Sequence, residues 1–234
     1  MLLREIFDST ETVGIIFGRF NPPHQGHRAA WELASKADHW FVGTNRNTHG
    51  LKVPLIFVDK LEAMSAVWSE VSNHIITETD WFTMASKIYE QFGSVNLNCY
   101  TDEDWVMKNL INYNGKAGRH GYYNFKNINQ IQTPRLSSAT SLREAVINND
   151  RASFSVAAGI SADTNINGKS YFDLVTESMQ SVIEDAAGVG IVNKQNSTCD
   201  VGPGTLNKNL QAFGLTGTVK KPKKRKNETI PNNN

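Results

Sequence analysis

Residues 13–27 read VGIIFGRFNPPHQGH, and the order of residue types in this stretch decides the fold that we expect. It opens with a short, β-branched apolar run that Gly18 ends, a pattern typical of a buried strand. After a Pro-Pro turn, apolar residues recur at helical spacing from His27 to Ala37. The stretch therefore predicts a strand that passes through a tight loop into a helix.

Strands and helices continue to alternate along the next hundred residues. We predict further strands at 39–43, 74–77, 94–100 and 122–131, and helices at 57–71, 81–92, 102–113 and 138–148. Short strands that alternate with helices of about 10–15 residues are typical of βαβ units and a parallel sheet. The sequence therefore predicts an α/β fold.

The C-terminal third differs in composition from the rest of the chain. Asp150 and Ser170 are expected to begin two more helices, and amphipathic periodicity fades from Gly188 onward, where Gly, Asn, Thr and Pro become frequent. We therefore predict one compact domain over residues 1–160, an accessory helical segment over 161–187 and a loosely structured extension over 188–234.

The charge of the chain is unevenly distributed. The formal net charge is +1, but residues 220–234 hold six basic side chains and one acidic one, which leaves 18 basic and 22 acidic residues elsewhere. The basic tail at 220–226 has no interleaved aromatic residue, so any contact with nucleic acid is expected to involve phosphates. A solvated tail, or a contact with a virion protein, explains the same run.

Composition narrows the class of protein. Hydrophobic residues make up 39% of the chain, yet no apolar run approaches the roughly 18 residues of a membrane span. Cys99 and Cys199 make neither a disulfide framework nor a zinc set. Glu5 comes too early for a secretory signal. We expect a protein of the cytoplasm (of a host cell, or a virion, for a phage-encoded chain) without membrane contact.

Two segments have the residue types that phosphate chemistry needs. Residues 18–27 place glycines and two histidines where a strand becomes a helix, and helix N-termini favour anions. His24 and His27 are three residues apart, so both can face one phosphate. Residues 137–143, SSATSLR, place hydroxyl groups at a second helix start, with Arg143 one turn further on as a bidentate donor.

These two segments resemble the signatures of a known superfamily. Residues 18–27 resemble the HxGH signature of the nucleotidyltransferases, and 137–143 resemble their second signature, from which Ser137 and Ala139 depart. The first segment is also similar to cytidylyltransferase-like proteins encoded by tailed phages. The resemblance covers about residues 12–160 and implies a Rossmann-like, doubly wound parallel sheet of the HUP type.

The resemblance also implies a reaction and a site. A nucleoside monophosphate group would pass from ATP or CTP to a small phosphorylated acceptor by in-line attack, with Mg²⁺ carried by the nucleotide. The catalytic residues would be His24, His27 and Arg143, and no protein metal ligands are expected. The nucleotide-binding residues would be Gly18, Arg19, Phe20, Asn21, Gly26, Ser138, Thr140 and Lys52, with Lys60 as an alternative to Lys52.

Two alternatives come from other functional classes. A phage virion protein could reuse this fold with weak or no catalysis, which would explain the Gly- and Asn-rich extension. A nucleic-acid-binding module could act through the basic tail. The combination of His24, Gly26, His27 and Arg143 favours the enzyme, because a scaffold has no physical need for all four.

Overall fold

A computed structural model describes residues 11–46, 50–78, 80–133 and 137–186. Its strands are β1 (Thr12–Gly18), β2 (His39–Thr44), β3 (Ile75–Thr77), β4 (Asn96–Tyr100), β5 (Asn127–Ile131), β6 (Asn165–Ile166) and β7 (Lys169–Ser170). Its α-helices are α1 (Gln25–Ala34), α2 (Phe57–Val67), α3 (Trp81–Phe92), α4 (Asp104–Tyr113), α5 (Ala139–Ile147), α6 (Arg151–Ala158) and α7 (Tyr171–Ala186). The predicted extension at 188–234, with its basic tail, lies outside the described residues.

The first five strands form one parallel sheet in the order β3-β2-β1-β4-β5. The chain builds outward from β1 to β3, then crosses back to β4 and continues to β5. This arrangement confirms the predicted Rossmann-like, doubly wound fold. In such sheets ligands bind beyond the carboxyl ends of the strands where the order reverses, which here is between β1 and β4.

Several predicted bounds move for local reasons. Helix α1 begins at Gln25 rather than His27, because the His24 side chain accepts a hydrogen bond from the Gly26 N–H and caps the helix. Helix α2 ends at Val67, and a 3-10 helix follows at Ser69–His74. Helix α3 is confirmed at both of its predicted bounds. Strand β5 is five residues shorter than predicted at its start.

The hydrophobic core has two parts that share the sheet. Successive side chains of a strand point to opposite faces, and Ile15 and Ile16 of β1 accordingly belong to different clusters. The cluster that contains Ile16 also includes Trp31 of α1 and Tyr171 of α7. The segment predicted as accessory, 161–187, therefore packs into the same core as the sheet through α7.

Two further features concern the described part of the chain. The strands β6 and β7 pair as a short antiparallel hairpin before α7, which the sequence did not predict. A helix with the length and apolar character needed to cross a bilayer is absent from the residues described.

Candidate active site

A cavity of about 750 Å³ lies at the carboxyl end of β1, beside the point where the strand order reverses. Apart from Gly26 and the alternative Lys60, every predicted site residue lines it: Gly18, Arg19, Phe20, Asn21, His24, His27, Lys52, Ser138, Thr140 and Arg143. Gly26 lines a smaller neighbouring cavity of about 270 Å³, which shares His24 and His27. The two sequence segments, more than 100 residues apart, thus meet at one cavity.

His24 is nearly buried, with 5% of its surface exposed. Its Nδ1 accepts a hydrogen bond from the Gly26 N–H at 3.1 Å and lies 3.0 Å from the Ser137 hydroxyl. Burial, and then the positive charge of Arg143, lower the pKa of His24 to about 4. The ring is therefore neutral at physiological pH.

The tautomer of His24 follows from its donors. A backbone N–H can only donate, so Nδ1 must offer its lone pair, and the proton of the neutral ring lies on Nε2. An N–H group of this kind can donate to a phosphate oxygen without first losing or gaining a proton.

His27 stacks on His24, with ring centroids 3.6 Å apart. The Phe20 ring lies nearly perpendicular to the His27 ring, with 4.9 Å between their centroids. Burial, and then the neighbouring His24, hold the pKa of His27 well below its ordinary value of 6.5. Its Nδ1 is buried without a hydrogen-bond partner in the described structure. Two neutral imidazoles therefore lie side by side at the cavity.

A cationic wall faces these histidines from α5 and the β1 loop. Arg143 donates to the Thr140 hydroxyl at 3.0 Å and to the Lys52 carbonyl at 3.4 Å. Burial, and then the positive charge of Arg19, lower the pKa of Arg143, so the two guanidinium groups are close enough to repel each other. Within the described ranges, neither arginine has a carboxylate partner. Such a pair is suited to bind an anion.

The two helix N-termini at the cavity are not equivalent. The Gly26 N–H, predicted to bind the nucleotide, donates instead to the Ser137 hydroxyl at 2.9 Å and to His24. That donor is therefore already used within the protein, and the contact of Gly26 with a nucleotide stays a prediction. At α5, Ser138 is the predicted N-cap and accepts from the Ser141 N–H at 3.2 Å. The first N–H groups of α5, at Ala139 and Thr140, have no acceptor within the helix.

Three other predicted nucleotide-binding residues make close contacts within the protein, and their binding of a nucleotide stays a prediction. The Asn21 amide exchanges two hydrogen bonds with the Leu55 backbone, at 2.8 and 3.0 Å, so it holds the loop. Phe20 is 4% exposed and packs against His27. A Cβ at Gly18 would lie 2.9 Å from the Phe20 ring, so the absence of a side chain at this glycine makes room for that ring.

Lys60 does not reach the cavity, which corrects its suggested contact with phosphates. The side chain is fully buried, and its amine donates to the Thr44 hydroxyl at 3.0 Å and to the Asn45 carbonyl. Burial lowers its pKa to about 8. The Thr44 hydroxyl in turn donates to the Gly18 carbonyl at 2.9 Å. Lys60 therefore contacts the end of β1 indirectly, through Thr44. Lys52 lines the cavity with an exposed side chain.

The sequence did not predict one residue that is far away in the chain but contacts the histidine loop, the segment of residues 19–24 between β1 and α1. The Tyr171 hydroxyl, at the start of α7, donates to the Pro23 carbonyl at 2.5 Å. Tyr171 is fully buried, and burial raises its pKa well above the ordinary value. Its place directly after the predicted helix start Ser170 was the only local signal.

Comparisons with known proteins add the following. No protein-family model and no curated protein matches the chain, whereas 31 solved chains do. One, named as a candidate nicotinate-nucleotide adenylyltransferase from Vibrio parahaemolyticus, is 13% identical with a TM-score of 0.41, over 72% of this chain and 99% of that one. A bifunctional NMN adenylyltransferase/ADP ribose pyrophosphatase from Francisella tularensis is 13% identical with a TM-score of 0.49, over 76% and 54%. This chain thus matches about half of the second protein, and neither match supports the virion alternative.

Replacing Gly26 with alanine should disrupt the junction of α1 with residue 137. The new Cβ would lie 2.9 Å from the Ser137 carbonyl and 3.1 Å from the His24 ring, so backbone or ring must shift. Overpacking of this kind costs about 1–3 kcal/mol, which we expect as a lower unfolding free energy in urea titrations. Gly50→Ala is the matched control, because its Cβ would meet only Val53 at 3.6 Å. Equal loss in both variants would contradict the close approach.

The free energy of unfolding should decrease as the pH is lowered, because His24 stays neutral in the folded protein. The unfolded chain takes up this proton near pH 6.5, whereas the folded protein does so near 4, so the unfolded state binds more protons between these values. Stability is therefore lost as pH falls, by about 2 kcal/mol from pH 7 to 5. Urea titrations of wild type and His24→Asn should show a shallower fall in the variant. Parallel curves would mean that His24 titrates normally.

Proposed function

We propose that this chain transfers a nucleoside monophosphate group from a nucleoside triphosphate to the phosphate of a small acceptor, with release of pyrophosphate. One observation supports this proposal above all: two neutral histidines and two arginines without carboxylate partners, among the residues described, line a single cavity at the topological switch point. The resemblance of residues 18–27 and 137–143 to nucleotidyltransferase signatures agrees with it.

The triphosphate would lie between α5 and the histidines. Arg143 is held by the Thr140 hydroxyl and faces the cavity near Arg19, so the β- and γ-phosphates would bind there. The N–H groups of α5 that have no acceptor within the helix, and the positive end of its dipole, add to the same attraction. The α-phosphate would then reach His24 and His27 on the opposite wall.

Catalysis would depend on alignment and charge stabilisation. The acceptor phosphate is already anionic at neutral pH, so it can attack the α-phosphorus in line without a general base. The P–O bond to pyrophosphate breaks as the new P–O bond forms. Charge then builds on the α-phosphate oxygens, where a fixed Nε2–H of His24 would donate. Preorganised donors of this kind require no proton transfer.

Magnesium would be part of the nucleotide substrate. No group of three or more histidine, cysteine or acidic side chains suited to hold a metal ion occurs in the described stretches. Mg²⁺ keeps several water ligands and commonly binds through substrate phosphates together with one or two carboxylates. The cavity fits this mode, because its lining includes two carboxylates, Asp80 and Glu103, beside its cations and neutral donors.

The organic part of the acceptor would lie on the aromatic side of the cavity. Trp81, Phe82 and Trp105 line that side. Phe82 and Trp105 also border an adjoining pocket of about 400 Å³, whose walls include Tyr113 and Tyr123. Aromatic walls suit a planar group of the acceptor, and the combined space suits two substrates bound together.

The full chain, ATP or CTP with Mg²⁺, and a panel of phosphorylated acceptors would test the proposal. We expect pyrophosphate release that depends on both the nucleotide and one acceptor class, with the joined product identified by mass spectrometry. Comparison of ATP with CTP assigns the nucleotide. Pyrophosphate release without an acceptor would contradict group transfer to a phosphate. The absence of pyrophosphate release with every pair of nucleotide and acceptor, while both nucleotides bind, would contradict it as well.

A further inference from the structure

We propose that Ser137 is a positioning residue that fixes the tautomer of His24 and ties the starts of α1 and α5 together. Its hydroxyl lies 2.9 Å from the Gly26 nitrogen and 3.0 Å from His24 Nδ1. This proposal deepens the proposed function, on which its catalytic part rests. The effect on the His24 ring does not depend on that function.

The hydrogen-bond directions at Ser137 follow from its two neighbours. The Gly26 N–H must donate, so the Ser137 oxygen accepts from it. The hydroxyl proton is then free to point at His24 Nδ1, which offers a lone pair. A hydroxyl group accepts and donates at once, whereas an aliphatic side chain at 137 can do neither.

This contact is specific to the residue found at position 137. Position 137 is one of the two places at which residues 137–143 depart from the signature that they resemble. Ser137 directly precedes the N-cap Ser138, while Gly26 is the second residue of α1. One hydroxyl therefore links the histidine loop to the helix that presents Arg143.

The consequence for catalysis concerns the Nε2 proton of His24. A donor to Nδ1 stabilises the tautomer whose proton lies on Nε2, and Nε2 is the nitrogen left to face a phosphate. Without the hydroxyl, Gly26 alone holds Nδ1, at the longer distance of 3.1 Å. The other tautomer and a rotated ring then become more populated, and fewer molecules are ready to donate.

The charge of His24 also responds to Ser137. A hydrogen bond to the neutral form disfavours protonation, so its loss should raise the pKa of His24 toward the ordinary value. The other titratable groups that line the shared cavities are Arg19, His27, Lys52, Asp80, Tyr100, Asp102, Glu103 and Arg143. Those groups are unchanged in a Ser137 variant, so a change in His24 titration reports the hydroxyl itself.

Nitrogen-15 NMR of the histidine rings in the free, full-length protein tests the proposal. In the wild type, His24 should show protonated Nε2 and bare Nδ1, assigned by comparison with His24→Asn. In Ser137→Ala we expect a mixture of tautomers and a raised pKa, and in Ser137→Thr, which keeps the hydroxyl, wild-type behaviour. Ser35→Ala, at the far end of α1, is the matched control.

Kinetics with the active pair of substrates supply the second readout. Ser137→Ala should lower kcat about three- to tenfold with KM unchanged, as expected for loss of one hydrogen bond, and Ser137→Thr should restore it. A His24 tautomer and pKa identical in wild type and Ser137→Ala would overturn the proposal. If Ser137→Ala fails to fold, Ser137→Gly and Ser137→Thr provide the same comparison. NMR changes in a protein without transferase activity would refute the proposed function and leave this inference standing.

Discussion

Replacing His27 with alanine should lower the turnover number by about 10²–10³-fold while the protein stays folded. His27 stacks directly on His24 at the cavity, so its loss removes one donor to the α-phosphate and lets the other ring move. The buried, unpartnered Nδ1 of His27 contributes nothing to stability, because its desolvation is not offset by a hydrogen bond. We therefore expect a large loss in pyrophosphate release, with the melting temperature lowered only by the lost packing of the ring.

Two further variants separate chemistry from packing. His27→Phe keeps a ring of similar size against Phe20 and Trp31 and removes only the nitrogens. It should melt at or above the wild-type temperature and be as inactive as the alanine variant. His39→Ala is the matched control, since His39 lies at the opposite end of the strands and pairs with Glu11. Wild-type turnover in His27→Phe would remove His27 from the reaction.

The order of elements was predictable because the signals for it are local. Apolar periodicity and caps within about a dozen residues predicted α3 at both bounds and the N-caps Ser138 and Asp150. The element ends that differ from the prediction depend on contacts between residues further apart in the chain. The start of β5 is delayed because residues before it fold back, with the Gly115 N–H donating to the Tyr123 carbonyl.

The position of the candidate site was also predictable, because an α/β sheet brings the carboxyl ends of its strands to one edge. The contacts of the individual residues in this site were harder to predict. Composition alone cannot show that the Gly26 N–H is used by Ser137, a contact between residues 111 apart in the chain. The Tyr171–Pro23 bond spans 148 residues, and the place of Tyr171 after the predicted helix start does not indicate which residue it contacts.

The burial of Lys60 was predictable from the sequence, although its hydrogen-bond partners were not. Lys60 lies three residues after Phe57 and four before Met64, on the buried face of α2, where a lysine is unusual. That placement predicts a buried amine with fixed acceptors rather than a phosphate ligand. The structure provides those acceptors at Thr44 and Asn45.

Replacing Arg143 with alanine should weaken nucleoside triphosphate binding about 10–100-fold, as expected for charge-assisted hydrogen bonds worth about 1.5–3 kcal/mol. Thr140 and the Lys52 carbonyl hold the guanidinium at the cavity, and within the described segments it forms no ion pair with a carboxylate, since the neighbouring Glu144 acts on it only through its charge. The charge of Arg143 is therefore available to the phosphates.

Titration calorimetry with a non-hydrolysable triphosphate measures this loss directly. Arg143→Lys should recover only part of the affinity, because an ammonium keeps the charge but lacks the bidentate fork. Arg28→Ala is the matched control, since Arg28 is already paired with Glu32 on the surface of α1 and should leave the Kd unchanged. Removing the Arg143 charge also removes one cause of the low pKa of His24, which should rise. Equal affinity in wild type and Arg143→Ala, with the His24 titration unmoved, would show that the guanidinium and the imidazole do not share one phosphate site.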